Sequence, residues 1–260
     1  MADERVLLDY EGPIAIITNN NPDKHNAFDD AMDVRLFDIL GELKTNRDVR
    51  AVVWRGVGKS WSSGRDVGSI GVGDQELSHH ELMLRGHAGI LQVFDINAPI
   101  IVAIQGWAMG GSFQRALICD IRIAAEGARF RLPEVGHGVI PDTGGVGRLY
   151  EICGPGVVSD MVLTGRPLSA DEALQHGIVS RIVPPDELDS TAMEMAEKIA
   201  ASPAVTVKMA RRVIRHLSEG PVRSSMEDEL VYQTFINKSN DFAEFRAARA
   251  EDRPPHYTGS

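Results

Sequence analysis

The chain has 260 residues, of which 43% are hydrophobic and 25% charged, so it can bury one substantial core with room for a smaller appendage. Its formal net charge of -10 argues against nucleic-acid binding, because an acidic surface repels phosphate. No apolar window reaches the ~18 residues of a membrane span. The acidic start MADERVLLDY lacks the apolar core of a signal peptide, so we expect a cytoplasmic protein.

The first half of the chain alternates short β-branched segments with helical patterns. The segment GPIAIITNN predicts a strand, and NAFDDAMDVRLFDILGEL predicts an amphipathic helix with Asn26 as its N-cap. The nearly continuous apolar runs VRAVVWRG and PIIVAIQG predict strands buried on both faces. Two shorter strands are predicted in CDIRIAAEG and ARFRLPE, so this half is typical of an α/β core.

The pattern becomes helical in the second half of the chain. Ser169 and Glu172 have the spacing of a capping box at the start of a short helix. A further helix is predicted over residues 202–220, ending at a glycine, and two more follow it. We therefore expect an α/β core in residues 1–197 and a helical region in residues 198–260.

Two glycine-bearing segments favour binding of a ligand by the backbone. In KSWSSGRDVGSI the small residues 62–64 precede Arg65 and Asp66, and in AMGGSFQRALICD Gly110 and Gly111 open a predicted helix. The unpaired N–H groups of a helix start favour negative charge. Together the two segments predict a pair of donors for one developing oxyanion. Each segment alone also fits an ordinary turn or an ordinary helix start.

A third segment, RLPEVGHGVIPDTGGVGRLYE, carries titratable groups among prolines and glycines. Glu134 is a candidate general acid or base, although a capping role fits the same position. Asp142 fits either a second acid–base role or a turn in which it bonds its own backbone. His137 either titrates near neutral pH in a pocket or packs against a neighbouring helix.

Two arginines adjoin these candidate segments. Arg65 and Arg115 are each suited to a carboxylate on a ligand, and Arg65 equally fits a pair with Asp66 or a surface position. Neither the eight histidines nor the two cysteines have metal-ligand spacing, so the sequence predicts no metal site.

These segments resemble, in the same order, segments of the crotonase superfamily, the enoyl-CoA hydratase/isomerase family. Two further segments share this resemblance, NPDKHNAF and VLTGRPLSADEALQHGIVSRIVP. The resemblance runs from about residue 5 to residue 255. It implies a crotonase-like spiral of β-β-α units, with a helical C-terminal region that serves assembly and covers the active site. It also implies an acyl-CoA thioester as substrate, with coenzyme A as part of that substrate and no separate cofactor. The implied process is fatty acid metabolism. The implied assembly is a homotrimer or homohexamer, with no nucleic-acid or membrane partner.

The resemblance also assigns site residues. The backbone N–H groups of Ser63 and Gly111 would form the oxyanion hole around the thioester carbonyl oxygen, and Glu134, Gln114 and Asp142 would be catalytic. The implied substrate-binding residues are Lys24 and His25, near the nucleotide end of coenzyme A, with Ala27, Ser62, Gly64, Arg65, Asp66, Gly110 and His137.

One position departs from the family pattern. Many hydratases of this family use two glutamates twenty positions apart, and here those positions hold Gln114 and Glu134. Glutamine can hydrogen-bond a water molecule but cannot accept its proton. Hydration by Glu134 alone, with Gln114 orienting water, remains open. Double-bond isomerisation by one carboxylate also remains open. Glu134 together with Asp142 fits three further reactions, namely thioester hydrolysis, carnitinyl-CoA dehydration and dienoyl-CoA isomerisation. The last alternative is a non-catalytic acyl-CoA-binding protein.

Overall fold

The computed structural model describes residues 3–66, 68 and 78–260. Its strands are β1 (Val6–Glu11), β2 (Ile14–Asn19), β3 (Ala51–Gly56), β4 (Ile100–Ile104), β5 (Trp107–Met109), β6 (Ile121–Ala125), β7 (Arg129–Arg131), β8 (Leu168–Ser169) and β9 (Arg181–Val183). Its helices are α1 (Asp30–Thr45), α2 (His79–Leu91), α3 (Gly110–Ile118), α4 (Gly145–Thr164), α5 (Ala170–Gln175), α6 (Leu188–Ala200), α7 (Ala204–Ile236) and α8 (Asn240–Ala250).

The larger sheet of the described residues has the strand order β1-β2-β3-β4-β6-β9. Only β1 pairs in an antiparallel way, with β2, and the remaining pairs are parallel. β2 and β4 are buried along their whole length. Parallel strands covered on both faces read as continuous apolar runs, which is why the sequence predicted these strands correctly.

Each face of this sheet is covered by helices. On one face α6 packs Leu188, Ala192 and Ala196 against side chains such as Ile16 and Val53. On the other face the larger core is formed by α1, α3 and α4. The α/β architecture that the sequence predicted is confirmed, and the layers hold the loops at the strand ends in place.

A smaller sheet, with the order β5-β7-β8, positions the candidate site. β5 and β7 are parallel neighbours, with Met109 opposite Arg131. β5 leads directly into α3, and β7 leads to Pro133 and Glu134. Because parallel strands end at the same edge, the start of α3 and Glu134 are brought together.

The predicted start of the first helix is wrong. α1 begins at Asp30, and its N-cap is Asp29, whose carboxylate accepts from the Met32 N–H at 3.0 Å. Asn26 instead has a φ of 54°, and its buried amide donates to the carbonyls of Val57 and Ser60. Its polar side chain therefore fixes a neighbouring loop rather than a helix end.

The predicted helix end at Gly220 is also wrong, because α7 continues through Pro221 to Ile236. Proline inside a helix costs about 3 kcal/mol locally. The turn that follows buries Val222 and Met226 in the main core, and this packing offsets the local cost. The predicted boundary at residue 197 falls within α6.

One local prediction is confirmed. Ser169 and Glu172 form the predicted capping box at the start of α5. Among the described residues, no helix is both long and apolar enough to cross a lipid bilayer.

Candidate active site

The two glycine-bearing segments lie side by side. Ser62 and Ala108 form a parallel bridge, with the Ser62 N–H donating to Trp107 O at 3.0 Å and the Met109 N–H donating to Ser62 O at 3.1 Å. Gly64 has a φ of 93°, and a Cβ there would lie 2.8 Å from Met109 O. Only glycine allows this close approach, which sets the first segment against the start of α3.

The prediction that the Ser63 N–H serves the oxyanion hole is wrong in this structure. That N–H already donates to His25 O at 2.9 Å. The next N–H along this segment that points the same way and is free to donate is that of Arg65. Gly64 O accepts from Phe28 N at 2.8 Å and Asp66 N donates to Phe28 O at 2.8 Å, so the Arg65 N–H points away from Phe28.

The Arg65 N–H has no acceptor within the described parts of the chain, and Arg65 lines the main cavity. Gly111 lies in the first turn of α3, where backbone N–H groups have no partner inside the helix. These two N–H groups are therefore candidate donors to an oxyanion among the described residues. Sequence reasoning chose the neighbouring residue because a loop of small residues gives no signal of which N–H is already bonded.

Gln114 and Glu134 meet, as their family positions imply. Gln114 Nε2 donates to Glu134 Oε1 at 3.0 Å across a separation of twenty residues. Gln114 is fully buried, and Glu134 is 9% exposed. Oε2 of Glu134 is buried without a hydrogen-bond partner in the described structure, and Glu134 lines the cavity. Glu134 therefore offers one oxygen for proton transfer while the other is held.

The orientation of the Gln114 amide is fixed by two backbone donors. Its Oε1 accepts from the Thr143 N–H at 2.9 Å and from the Gly145 N–H at 3.2 Å. A Cβ at Gly145 would lie 2.4 Å from Gln114 Cβ, so a side chain there would push the amide away. Because its oxygen is occupied, Gln114 acts here as a donor and has no lone pair to offer an incoming water.

The electrostatics of Glu134 suit a proton carrier. The pKa of Glu134 is raised to about 8, mainly by burial and also by the charge of Asp142, against the lowering effects of its own backbone N–H and of the Gln114 hydrogen bond. A carboxyl group with a pKa near the working pH can both accept and release a proton.

A cavity of about 240 Å³ connects these groups. It is lined by most of the predicted catalytic and oxyanion residues and by some of the predicted binding residues, namely Ser63, Gly64, Arg65, Gly110, Gly111, Glu134, His137 and Asp142. Gln114 lies directly behind this wall, bonded to Glu134. The residues that the sequence assigned to the reacting end of the site therefore lie together, and their roles stay predictions.

The other predicted binding residues lie outside the cavity wall. Lys24 pairs with Asp66 at 2.8 Å, and His25 Nδ1 lies 3.0 Å from Ser60 Oγ. Ala27 is buried at 8% exposure. Substrate contacts by these four stay predictions. The prediction of a substrate contact by the Ser62 side chain is wrong, because its buried hydroxyl bonds Asn26 O and Ser112 Oγ.

Asp142 and His137 sit at the cavity but are engaged by the protein. The carbonyl oxygen of Asp142 accepts from His87 Nε2 at 2.7 Å. The His137 ring lies 6.0 Å from the Phe245 ring of α8, and burial lowers its pKa. His137 therefore packs near a helix and also lines the cavity, and its active role stays a prediction.

A charged wall on the α1–α2 side of the cavity was not predicted as a unit. We call it the arginine wall, and it consists of Asp30, Asp33, Arg65, Arg85 and Arg115. Asp33 Oδ2 pairs with Arg65 Nη1 and Asp33 Oδ1 with Arg115 Nη2, each at 2.7 Å. Asp30 also pairs with Arg65. The sequence could have shown Asp30 and Asp33 on one helical face, but their arginine partners are distant in the chain.

The C-terminal helix α7 contributes two residues that sequence reasoning missed. Gln233 lines the cavity, and its Oε1 accepts from the Ile140 N–H at 2.9 Å. Glu229 Oε2 accepts from the Gly144 N–H at 2.8 Å. Both bonds hold the loop that orients Gln114. Within the described residues, no group of three histidine, cysteine, aspartate or glutamate side chains is placed to hold a metal ion.

Comparison with known proteins places this geometry in a family. The profile of the enoyl-CoA hydratase/isomerase family matches residues 9–260. The chain is 35% identical over 261 residues to a carnitinyl-CoA dehydratase of Salmonella paratyphi A, covering 98% of this chain and 99% of that protein.

Solved structures agree with this placement. A carnitinyl-CoA hydratase from Mycobacterium avium is 34% identical, with a TM-score of 0.86 and coverage of 99% of this chain and 100% of that one. An enoyl-CoA hydratase/isomerase from Pseudoalteromonas atlantica T6c is 27% identical, with a TM-score of 0.88 and coverage of 98% and 100%. The chain is an enzyme of the enoyl-CoA hydratase/isomerase family, with the crotonase fold.

Proposed function

We propose that this enzyme moves the double bond of a 3-enoyl-CoA thioester to the 2-position by a proton shuttle through Glu134. The observation that carries the proposal is the fixed Gln114 amide, whose oxygen accepts two backbone N–H bonds. With Gln114 unable to act as a base, Glu134 remains as a cavity carboxyl group whose buried Oε2 has no hydrogen-bond partner in the described structure. A double-bond shift needs only one such group.

The proposed reaction begins with the thioester oxygen between the N–H groups of Arg65 and Gly111. Glu134 Oε2 removes a proton from C2, and the electron pair of that C–H bond moves into a dienolate whose charge rests on the oxygen. Backbone donors aimed at such an oxygen lower the barrier, and loss of one typically costs about 3 kcal/mol. Glu134 then returns the proton to C4, which leaves the double bond between C2 and C3.

A second candidate is the elimination of water from a 3-hydroxyacyl-CoA, and two observations favour it. Asp142 lines the same cavity and its charge contributes to the raised pKa of Glu134. Full-length relatives are named carnitinyl-CoA dehydratases. In this reaction Glu134 would remove the C2 proton. Asp142, after taking up a proton, would supply the proton that leaves with the hydroxyl group, and the proton on Glu134 then returns to Asp142.

We further propose that the protein works as a homotrimer or a pair of trimers in the cytoplasm, within fatty acid metabolism. Large apolar side chains on α7 support the assembly: Val205, Val213, Leu217 and Phe235 are 66–75% exposed. A row of exposed apolar side chains on one helix is typical of a protein interface.

The proposal is tested with Glu134→Gln, which keeps the side-chain shape but cannot carry a proton. We expect turnover of a 3-enoyl-CoA to fall by about a thousandfold, within the usual range for loss of general acid–base catalysis, while the dissociation constant of a saturated acyl-CoA changes little. The matched control is Glu126→Gln, at an exposed turn. Wild-type turnover in Glu134→Gln would reject the shuttle. Interconversion of a 2-enoyl-CoA and a 3-hydroxyacyl-CoA by the wild-type protein, with no turnover of a 3-enoyl-CoA, would favour the second candidate.

A further inference from the structure

The arginine wall has guanidinium N–H groups without an acceptor in the described structure, whereas its two aspartates are already paired. Asp33 uses both carboxylate oxygens on Arg65 and Arg115, and Asp30 pairs with Arg65. The Arg85 guanidinium makes no hydrogen bond to any described residue, and its nearest acid contact is Asp30 at 3.8 Å. Arg85 lines the cavity with about a third of its side chain exposed.

Arg115 adds to this excess of donors. It is 8% exposed, and its Nε and Nη1 have no partner in the described structure. A buried polar group without a partner is costly, and burying it under a hydrocarbon chain would not relieve that cost. The wall as a whole therefore carries three arginines against two aspartates.

The same wall is unsuited to a cationic acyl group. Quaternary ammonium groups bind over open aromatic faces. Of the two phenylalanines that line the cavity, Phe28 is covered by the Arg115 guanidinium at 4.9 Å from the ring centroid. Phe37 packs against Gly89, where an added Cβ would lie 2.4 Å from the ring. A trimethylammonium group would meet arginine on this side.

We propose that the acyl group of the natural substrate ends in a carboxylate, which Arg85 binds from the arginine wall. The inference rests on the proposed function, since it assumes that an acyl-CoA occupies the cavity with its thioester at Arg65 and Gly111. Guanidinium and carboxylate form charge-assisted hydrogen bonds, which are stronger than neutral ones. A carboxylate of this kind satisfies donors that the protein leaves free.

Three saturated acyl-CoA thioesters of equal length test the proposal, ending in a methyl, a carboxylate or a trimethylammonium group. Saturated chains cannot undergo the double-bond shift, so titration calorimetry reports binding alone. We expect the carboxylate thioester to bind about tenfold more tightly than the methyl thioester, and the trimethylammonium thioester to bind most weakly. Equal dissociation constants, or tightest binding of the cation, would overturn the proposal.

Two substitutions assign the preference to Arg85. Arg85→Gln should bring the ratio of the carboxylate and methyl dissociation constants close to one, and Arg85→Glu should make the trimethylammonium thioester the preferred ligand of the charged pair. The matched control is Arg223→Gln, which removes an exposed arginine that pairs with Glu219 on α7 and should keep the wild-type ratio. An unchanged ratio in Arg85→Gln, with a normal thermal melt, would contradict the role of Arg85.

The two proposals fail in different ways. Solvent deuterium entering C2 of an unsaturated thioester reports the proton transfer of the proposed function. Tight carboxylate binding without this exchange would reject the proposed function and keep the carboxylate substrate class. Exchange without a carboxylate preference would keep the proposed function and reject the carboxylate substrate class.

Discussion

The amide of Gln114 determines what Glu134 can do. Its Nε2 donates to Glu134 Oε1 at 3.0 Å, and backbone donors at Thr143 and Gly145 hold its other end. A glutamate at this position would accept the same two backbone bonds and stay ionised beside Glu134. The amide therefore leaves Glu134 as the one carboxyl group of this pair, with a pKa raised mainly by burial to about 8.

Gln114→Glu should lower the rate of isomerisation and raise the rate of hydration. A second carboxylate at hydrogen-bond distance raises the pKa of Glu134 further, so isomerisation at pH 7 should fall at least about tenfold. Hydration of a 2-enoyl-CoA should rise, because two carboxyl groups can then hold and activate one water. Both rates are followed by chromatography of the products. Unchanged rates for both reactions would show that residue 114 does not set the chemistry.

The pKa of Glu134 also sets the direction of the pH dependence. Glu134 must be ionised to accept the C2 proton, and burial raises its pKa to about 8. We therefore expect kcat/KM for isomerisation to rise with pH up to about 8 and then to level off. A profile that is flat from pH 5 to 9 would mean that another group takes the proton.

Asp33 connects the two elements that carry the oxyanion donors. One of its oxygens holds Arg65, in the first glycine-bearing segment, and the other holds Arg115 in α3, each at 2.7 Å. Asp33→Asn would leave a buried guanidinium without its counter-charge, which costs roughly 3 kcal/mol of stability. We expect lower kcat/KM and a smaller absorption shift of a bound conjugated acyl-CoA, because the backbone donors lose their alignment. Asp160→Asn, which breaks the exposed pair with Arg166, should change neither.

At the scale of elements, α7 holds the loop that orients Gln114. Gln233 accepts from the Ile140 N–H, and Glu229 accepts from the Gly144 N–H and from Ser225 Oγ. The helical C-terminal region thus reaches the catalytic pair through a backbone loop. This contact gives a physical basis for the active-site cover that the sequence resemblance implied.

Glu229 should make stability depend on pH. Burial raises its pKa to about 7 from an ordinary value of 4.5. A carboxyl group with a raised folded pKa stabilises the fold fully below pH 4.5, and that contribution is lost as pH rises through 7. Glu229→Gln should therefore gain up to about 3 kcal/mol in unfolding free energy relative to wild type between pH 4.5 and 8. Parallel denaturation curves at all pH values for the two proteins would contradict this effect.

Elements set by local patterns could be predicted, and those set by tertiary contacts could not. The capping box of Ser169 and Glu172 is local, so its sequence spacing was sufficient. Asn26 looked like a helix cap but serves a loop, because its partners are thirty residues away in the chain. The choice between the Ser63 and Arg65 N–H groups depended on which one His25 O had already taken.

At the scale of the molecule, α7 presents an apolar face that the described structure leaves uncovered. Val205 is 72% exposed, Leu217 73% and Phe235 75%. Stable interfaces bury upwards of about 1,000 Å², and apolar side chains at their centre supply much of the free energy. This face is the part of the structure that supports the proposed trimer.

Leu217→Lys should weaken the assembly, because it places a charge within an apolar contact. We expect light scattering to give the mass of a trimer or hexamer for the wild-type protein and a smaller mass for the variant. Ser190→Lys adds the same charge on the exposed side of α6 and should leave the mass unchanged. A monomeric wild-type protein would contradict the proposed assembly.

The central claim is that one carboxyl group carries the proton from one carbon to the other. The most direct measurement uses a 3-enoyl-CoA with deuterium at C2, turned over in ordinary water and read by mass spectrometry and NMR. Because Glu134 Oε2 is buried, part of the deuterium should appear at C4 of the 2-enoyl product, well above the solvent background. A 2-enoyl product with no deuterium at C4 above the solvent background, or transfer that persists in Glu134→Gln, would contradict the account.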